Sequence, residues 1–241
     1  MAARVAVLSD VHGNAPALTA VLAEVARDEP DLVVFGGDLT WGPLPGETLD
    51  LVRNLETPAL FVRGNADRAV LEGVRESERE QWMQDRHSPE ARAFLEGFAG
   101  HHVVEVDGLG AVRFCHGSPR SDEECVTPET PVERVREFSE GVDERVIVTA
   151  HVHLQFDREV GGLRSVSPGS VGLPYQGRTG AYWALLGPDV ALRRTEYDVG
   201  QAVDAYRRSG FPNADELAAM ILEPPTPAEV IEHAERVIFA G

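Results

Sequence analysis

Seven side chains of metal-ligand type stand where apolar runs of the sequence stop. Asp10 and His12 follow "VAVLS", Asp38 follows "LVVFGG", Asn65 follows "LFVRG", His116 follows "VRFC", and His151 and His153 follow "VIVTA". Imidazole nitrogens and carboxylate or amide oxygens hold divalent cations at about 2.0 to 2.2 Å. Taken singly, each has a plainer explanation: Asp10 or Asp38 as a helix cap, Asn65 after Gly64 as a turn, His116 as a core histidine with its hydrogen bonds satisfied. Taken together they do not, because independent caps and turns have no reason to select histidine, aspartate and asparagine at so many strand ends. Two pairs, Asp10 with His12 and His151 with His153, are spaced two residues apart. On a strand that spacing points both side chains to one face, with α-carbons about 6.6 Å apart.

The elements that must position these residues alternate in the first half of the chain. Short apolar runs at "VAVLS", "DLVVFGG" and "ALFVRGN" are separated by helical patterns over 15–27 and 47–55, which predicts βαβαβ with parallel strands buried on both faces. In an open α/β sheet the strand carboxyl ends form the crevice where ligands bind, so ligands distant in sequence can converge there. Residues 66–100 turn charged and helical and read as an inserted lid. A hairpin follows, turning at 107–110, then a helix over 131–140. The segments "FDREVGGLRSVSPGS" and "AYWALLGPDVALRRTEY" each read as two strands about a turn, so the later sheet is expected to be largely antiparallel. Helices are expected over 200–208, 214–222 and 227–239. The last carries an apolar stripe at Val230, Ile231, Ala234, Val237 and Ile238, for which packing on the domain is the first expectation and a subunit interface, hence a homo-oligomer, the second.

Composition narrows the chemistry. The 241 residues, 43% hydrophobic, suit a single domain over 1–241, with the insertion at about 66–102 and carboxyl-terminal helices at about 200–240. All 22 basic residues are arginine, so Schiff-base chemistry and the phosphate-loop lysine have no residue to carry them. The formal charge of −18 argues against strong nucleic-acid binding or an anionic membrane surface as partner. Two cysteines, Cys115 and Cys125, are too few for a disulfide framework or a thiolate zinc cluster. With no apolar stretch approaching a membrane span, a soluble cytoplasmic protein is expected.

The ordered series "SDVHGN", "GGDLTWGP", "VRGNAD", "CHGS" and "TAHVH" resembles the calcineurin-like metallophosphoesterases, whose motifs run DxH, GDxx, GNxD, a lone His and GHxH. "SVSPGSVGLP" resembles the strand and turn that follow in the small bacterial and archaeal phosphodiesterase branch. The resemblance implies an α/β fold built as a four-layer α-β-β-α sandwich, two mixed sheets flanked by helices. It also implies two divalent transition-metal ions: one held by Asp10, His12 and His153, the other by Asn65, His116 and His151, with Asp38 bridging. Manganese is the preferred metal, with iron, zinc, cobalt and nickel as alternatives, since a nitrogen and oxygen donor set does not choose among them. The implied reaction is hydrolysis of a phosphate ester, foremost a phosphodiester, in a small phosphoester or nucleotide-like substrate, by a hydroxide bridging the metals, with Asn65 helping to hold the phosphoryl oxygens. A phosphomonoesterase or nucleotide-polyphosphate hydrolase is the alternative, and a non-catalytic scaffold the third reading.

Two positions depart from the family pattern. Ala150 replaces the usual glycine of GHxH, a small change unless that backbone needs positive φ. Ala66 stands where many members carry a histidine that protonates the leaving oxygen. Without that histidine, Asp67, which orients it in the family, is read as a helix cap or a catalytic residue. Arg68 is read as a catalytic phosphate clamp or a solvated helix residue. Trp41 and Tyr175 are candidates to stack on a base or aromatic group, with plain packing the alternative. His87, His101, His102 and His233 are expected at the surface.

Overall fold

The computed structural model describes residues 2–237. Two mixed five-stranded sheets form the centre. The first runs in the order β10 (Val190–Thr195), β9 (Ala181–Leu186), β1 (Val5–Leu8), β2 (Leu32–Phe35) and β3 (Ala59–Phe61). β1, β2 and β3 are parallel, joined by the crossover helices α1 (Ala15–Asp28) and α2 (Pro45–Arg53), which is the expected βαβαβ unit. The second sheet runs β4 (His101–Val106), β5 (Gly110–Cys115), β6 (Val146–Val148), β8 (Leu163–Pro168) and β7 (Gln155–Val160).

Strand alternation divides the core. Val5 and Val7 of β1, Val34 of β2 and Ala184 and Leu186 of β9 pack with Val112, Phe114, Val146, Val148 and Val166 of the other sheet. Their sequence neighbours Ala6, Leu8, Val33, Phe35 and Trp183 face the opposite way, onto Leu18, Val21 and Val25 of α1, as period-two alternation requires. The far face of the second sheet is covered by α6 (Val132–Phe138) and by Val230 and Ile231 of α9 (Pro227–Val237). Helix, sheet, sheet and helix thus stack as the four expected layers. Each fully buried Val, Leu or Phe contributes about 1.5–3 kcal/mol.

The second sheet departs from the antiparallel expectation. Its two outer pairings are antiparallel, but β5–β6 and β6–β8 are parallel. The hairpin β9–β10 joins the first sheet instead, against β1. Turn chemistry marked both hairpins correctly, but it carries no information about which sheet edge a hairpin meets.

Between β3 and β4 lie α3 (Asn65–Glu72), α4 (Glu78–Arg86) and α5 (Pro89–Glu96), in the span expected for the insertion. After β10 the chain forms α7 (Val199–Ser209), α8 (Ala214–Leu222) and α9. The expected stripe reaches the domain through Val230, Ile231 and the buried Ala234. Ile238 and the end of the helix expected over 227–239 lie outside the described residues.

Candidate metal centre

All seven sequence-derived ligands come together at the carboxyl ends of parallel strands. Asp10 and His12 follow β1, Asp38 follows β2, Asn65 follows β3, His116 follows β5, and His151 and His153 follow β6. None of them lies on a strand, so the alternation expected for His151 and His153 is not what aims them. Instead Asp10, His12, Asp38, His151 and His153 all adopt left-handed backbone, with φ of 50°, 47°, 53°, 68° and 57°. Non-glycine residues visit this region rarely and at some cost. Ala150 is not among the positive-φ residues, so its methyl group in place of the family glycine meets no backbone conflict.

Asp10 and His12 stay together, while His151 and His153 divide between two groups, as the family resemblance implies. His153 groups with Asp10 and His12, whereas His151 groups with Asp38 and His116, and the ligand atoms of each group lie within 4.8 Å of one another. The Asp38 carboxylate faces both groups, with Oδ2 3.6 Å from His12 Nε2 and Oδ1 3.5 Å from His116 Nε2. Asn65 Oδ1 lies 3.0 Å from His116 Nε2.

Hydrogen bonds on the far side of each ring fix which nitrogen faces inward. His12 Nδ1 donates to the Trp41 carbonyl at 3.1 Å, His153 Nδ1 to the Leu173 carbonyl at 2.6 Å, and His116 Nδ1 to the Gly36 carbonyl at 2.8 Å. A carbonyl accepts and never donates, so in the neutral rings Nδ1 carries the hydrogen and Nε2 presents a lone pair. Yet His12 Nε2 and His153 Nε2 are 3.1 Å apart, and His153 Nε2 is 3.3 Å from Asp10 Oδ1. Asp10 Oδ1 is itself buried with no hydrogen-bond partner. Lone pairs converging on lone pairs in a buried pocket call for a positive charge between them. The donor set, nitrogen and oxygen without thiolate, fits a divalent transition metal.

The carboxylates by themselves already draw positive charge into the pocket, onto His116 when no cation supplies it. Burial opposes ionisation of Asp38, but His116 and His12 outweigh it and hold the carboxyl well below its usual range. Burial opposes protonation of His116, but the Asp38 and Asp10 carboxylates push it up to about 10. Burial and His153 lower His12; burial and His116 lower His151.

The loops are stitched to one another. The Asp10 N–H donates to the Gly37 carbonyl at 3.0 Å, the His12 N–H to the Asp38 carbonyl at 3.0 Å, and the His151 N–H to Asp10 Oδ2 at 3.2 Å. Ser170, from the "SVSPGSVGLP" segment, donates its hydroxyl to the Asp10 carbonyl at 2.7 Å and accepts from the Leu173 N–H at 2.8 Å. A side chain on Gly64 would meet Asp38 Oδ1 at 2.1 Å, so glycine is required beside the bridging carboxylate.

Asp67 is fully buried, caps α3 through the Gly64 N–H at 3.0 Å, and accepts from the Asp38 N–H at 2.8 Å and the Leu39 N–H at 3.1 Å. Burial and the Asp38 charge raise its carboxyl to about 7, against the pull of those donors. It therefore holds the Asp38 loop and sits behind the ligands. Arg68 is not presented as a clamp. Its guanidinium contacts Asp122 at 2.7 and 3.2 Å, Glu123 at 2.6 Å and Glu72 at 3.3 Å. A fork occupied by three carboxylates has to break those pairs before it binds a phosphate. The sequence places Arg68 near the site but is silent on the carboxylates at 122 and 123 that fold over it.

Trp41 and Tyr175 do line the metal cleft, a cavity of about 410 Å³, and Tyr175 stacks on the His153 ring at 4.5 Å. Arg79 from the insertion and Leu173 complete the near part of that wall, and sequence reasoning gave no sign of its far part, Phe211, Leu217 and Met220 from the carboxyl-terminal segment. It also misplaced His87, which is buried, donates from Nδ1 to the Met83 carbonyl at 2.7 Å and accepts at Nε2 from the Thr40 hydroxyl at 2.9 Å. His102 is half-buried in β4 and bonds the Phe61 carbonyl at 3.0 Å, while His101 and His233 are exposed as expected.

A sandwich of two mixed sheets that gathers histidine and carboxylate donors at its strand ends is a metal-binding type of α/β architecture. Residues 3–187 match the calcineurin-like phosphoesterase superfamily domain, and the chain belongs to that superfamily. It is 27% identical over 237 residues to an uncharacterised protein of Methanocaldococcus jannaschii, covering 86% of this chain and 93% of that protein. The crystal structure of a metallophosphoesterase from Sphaerobacter thermophilus superposes with a TM-score of 0.74 at 26% identity, covering 92% of this chain and 99% of the other. A hypothetical protein from Pyrococcus horikoshii shares the fold with a TM-score of 0.81 at 21% identity, over 92% and 99% of the two chains. No helix among the described residues is long and apolar enough to cross a membrane.

Proposed function

We propose that the protein is a two-metal phosphodiesterase acting on a small phosphoester. One cation would be held by Asp10, His12 and His153 and the second by Asn65, His116 and His151, with Asp38 available to both. The observation that carries this reading is the set of inward-facing Nε2 lone pairs around the orphaned Asp10 Oδ1, with the two oxygens of Asp38 turned to different groups. When bound there, two divalent cations would supply an acidified water near neutral pH and charge neutralisation for the phosphoryl group. The chain's own part is to fix the ligands by the Trp41, Leu173 and Gly36 carbonyls and to aim Asn65 at the phosphoryl oxygens. Manganese remains the preferred metal and a cytoplasmic setting the preferred location. The helices between β3 and β4 act as a lid on a single domain.

Preference for an acidic leaving group follows from position 66. Ala66 is buried, and its N–H donates to Asp38 Oδ1 at 2.9 Å, but its side chain has no proton to give a departing oxygen. Esters with acidic leaving groups depart without that help. Rates across phenyl phosphodiesters of graded leaving-group pKa are expected to fall steeply as the leaving group becomes more basic. A flat dependence would contradict the missing-acid argument.

The decisive experiment pairs metal analysis of the purified protein with hydrolysis of bis(p-nitrophenyl) phosphate and p-nitrophenyl phosphate. About two equivalents of transition metal are expected, with the diester turned over faster than the monoester. His153→Ala is expected to lose one equivalent and to reduce kcat/KM at least about 100-fold. A protein that hydrolyses the diester equally well in the presence of a chelator, or one that is metal-loaded and inert on both esters, would overturn the reading.

A further inference from the structure

The far wall of the cleft carries side chains that the candidate metal ligands do not explain. Six side chains, Trp41, Leu173, Tyr175, Phe211, Leu217 and Met220, share one cavity with His12, Asp38, Asn65, His151 and His153. Three of them, Phe211, Leu217 and Met220, lie beyond residue 187, where the match to the superfamily domain ends. The carboxyl-terminal helices therefore add an apolar surface directly beside the reacting centre.

The surface is held in place from two sides. Ala218 and Ile221 of α8 bury with Ala202, Val203 and Tyr206 of α7 against Leu44 and Leu173. That fixes the helix pair to the domain and leaves Leu217 and Met220, three residues apart on one helix face, half-exposed in the cleft. From the insertion, Arg79 of α4 bonds the Pro212 carbonyl at 3.3 Å, pairs with Glu216, and places its guanidinium 6.0 Å from the Phe211 ring. Trp82 of the same helix packs edge-on against Phe211 at 5.1 Å. Among the described residues Arg79 is the only arginine lining this cavity, and it is paired with Glu216.

We infer that this wall binds the ester substituent that stays on phosphorus, and that the substituent is a compact apolar or aromatic group rather than a further phosphate. The inference rests on the phosphoesterase reading and adds the substrate class. A polyphosphate tail directed at Leu217, Met220 and Tyr175 loses hydration and gains no donor in return. An aryl or alkyl group there gains burial against six apolar side chains and an aromatic face at Tyr175.

Binding of phenylphosphonate and methylphosphonate to the manganese-loaded protein, measured by calorimetry, tests this without turnover. Phenylphosphonate is expected to bind about tenfold tighter, and the ratio is expected to shrink below about threefold in Leu217→Asn/Met220→Asn. Both positions are half-exposed. Leu217→Ser alone, checked for an unchanged melting temperature, supplies the same test in milder form. Equal affinities in the unsubstituted protein would overturn the apolar wall alone. A ratio that survives both variants would overturn the assignment to these helices. If neither phosphonate binds the metal-loaded protein, the phosphoesterase reading falls and takes this inference with it.

Discussion

At the scale of single residues, the candidate donors combine common ligand types with uncommon backbone. Histidine, aspartate and asparagine at the ends of apolar runs named the seven positions, because few other roles select those types together. The left-handed backbone at Asp10, His12, Asp38, His151 and His153 left no such trace. Non-glycine residues tolerate it where surrounding bonds over-determine the loop, and here those bonds are contributed by partners far away in the chain. Asp67 is the clearest of them. Its carboxylate accepts three N–H groups, two of them in the Asp38 loop. Asp67→Asn keeps the shape but replaces one accepting oxygen by an amide that donates, so at least one buried N–H is left unmatched. A loss of about 1–3 kcal/mol of stability is expected, read as a lower denaturant midpoint in the metal-free protein.

Elements were read from the sequence more securely than their partners. The βαβαβ unit, the hairpin at 107–110 and the helix over 214–222 all stand where periodicity put them. What an amphipathic helix packs against is a property of the other surface, so α8 gave no sign that it would border the cleft. The insertion shows the same limit through His87, which ties α4 to Thr40 and hence to the loop carrying Trp41. Burial and, less strongly, the Arg92 charge lower its pKa. The unfolded chain takes up a proton near pH 6.5 while folded His87 resists it, so stability present above that pH is lost as the pH falls through it. Melting temperatures measured between pH 7.5 and about pH 5 are expected to decline in the unsubstituted protein. They should decline less in His87→Gln, whose side-chain oxygen still accepts from Thr40; parallel curves would refute the assignment.

For the whole molecule, composition spoke to conditions rather than to fold. The 40 acidic residues against 22 arginines leave an excess that repels itself across the surface. Salt shortens the reach of that repulsion, from about 30 Å at 0.01 M to about 3 Å at 1 M. The melting temperature is therefore expected to rise with sodium chloride over that range, as scanning fluorimetry would record, and a fall would mean that surface ion pairs outweigh the net charge. Another property emerges only from the assembled layers. Asp10, His12, Asp38 and Asn65 issue from one sheet, while His116, His151 and His153 issue from the other, across the interior of Val5, Val7, Val34, Val112, Val146 and Val148. Close-packed interiors transmit strain instead of absorbing it. The valine slab thus works as a caliper: its thickness sets the jaw opening at the strand tips, and a methylene added or removed there resets the gap between opposing donors without altering any polar group.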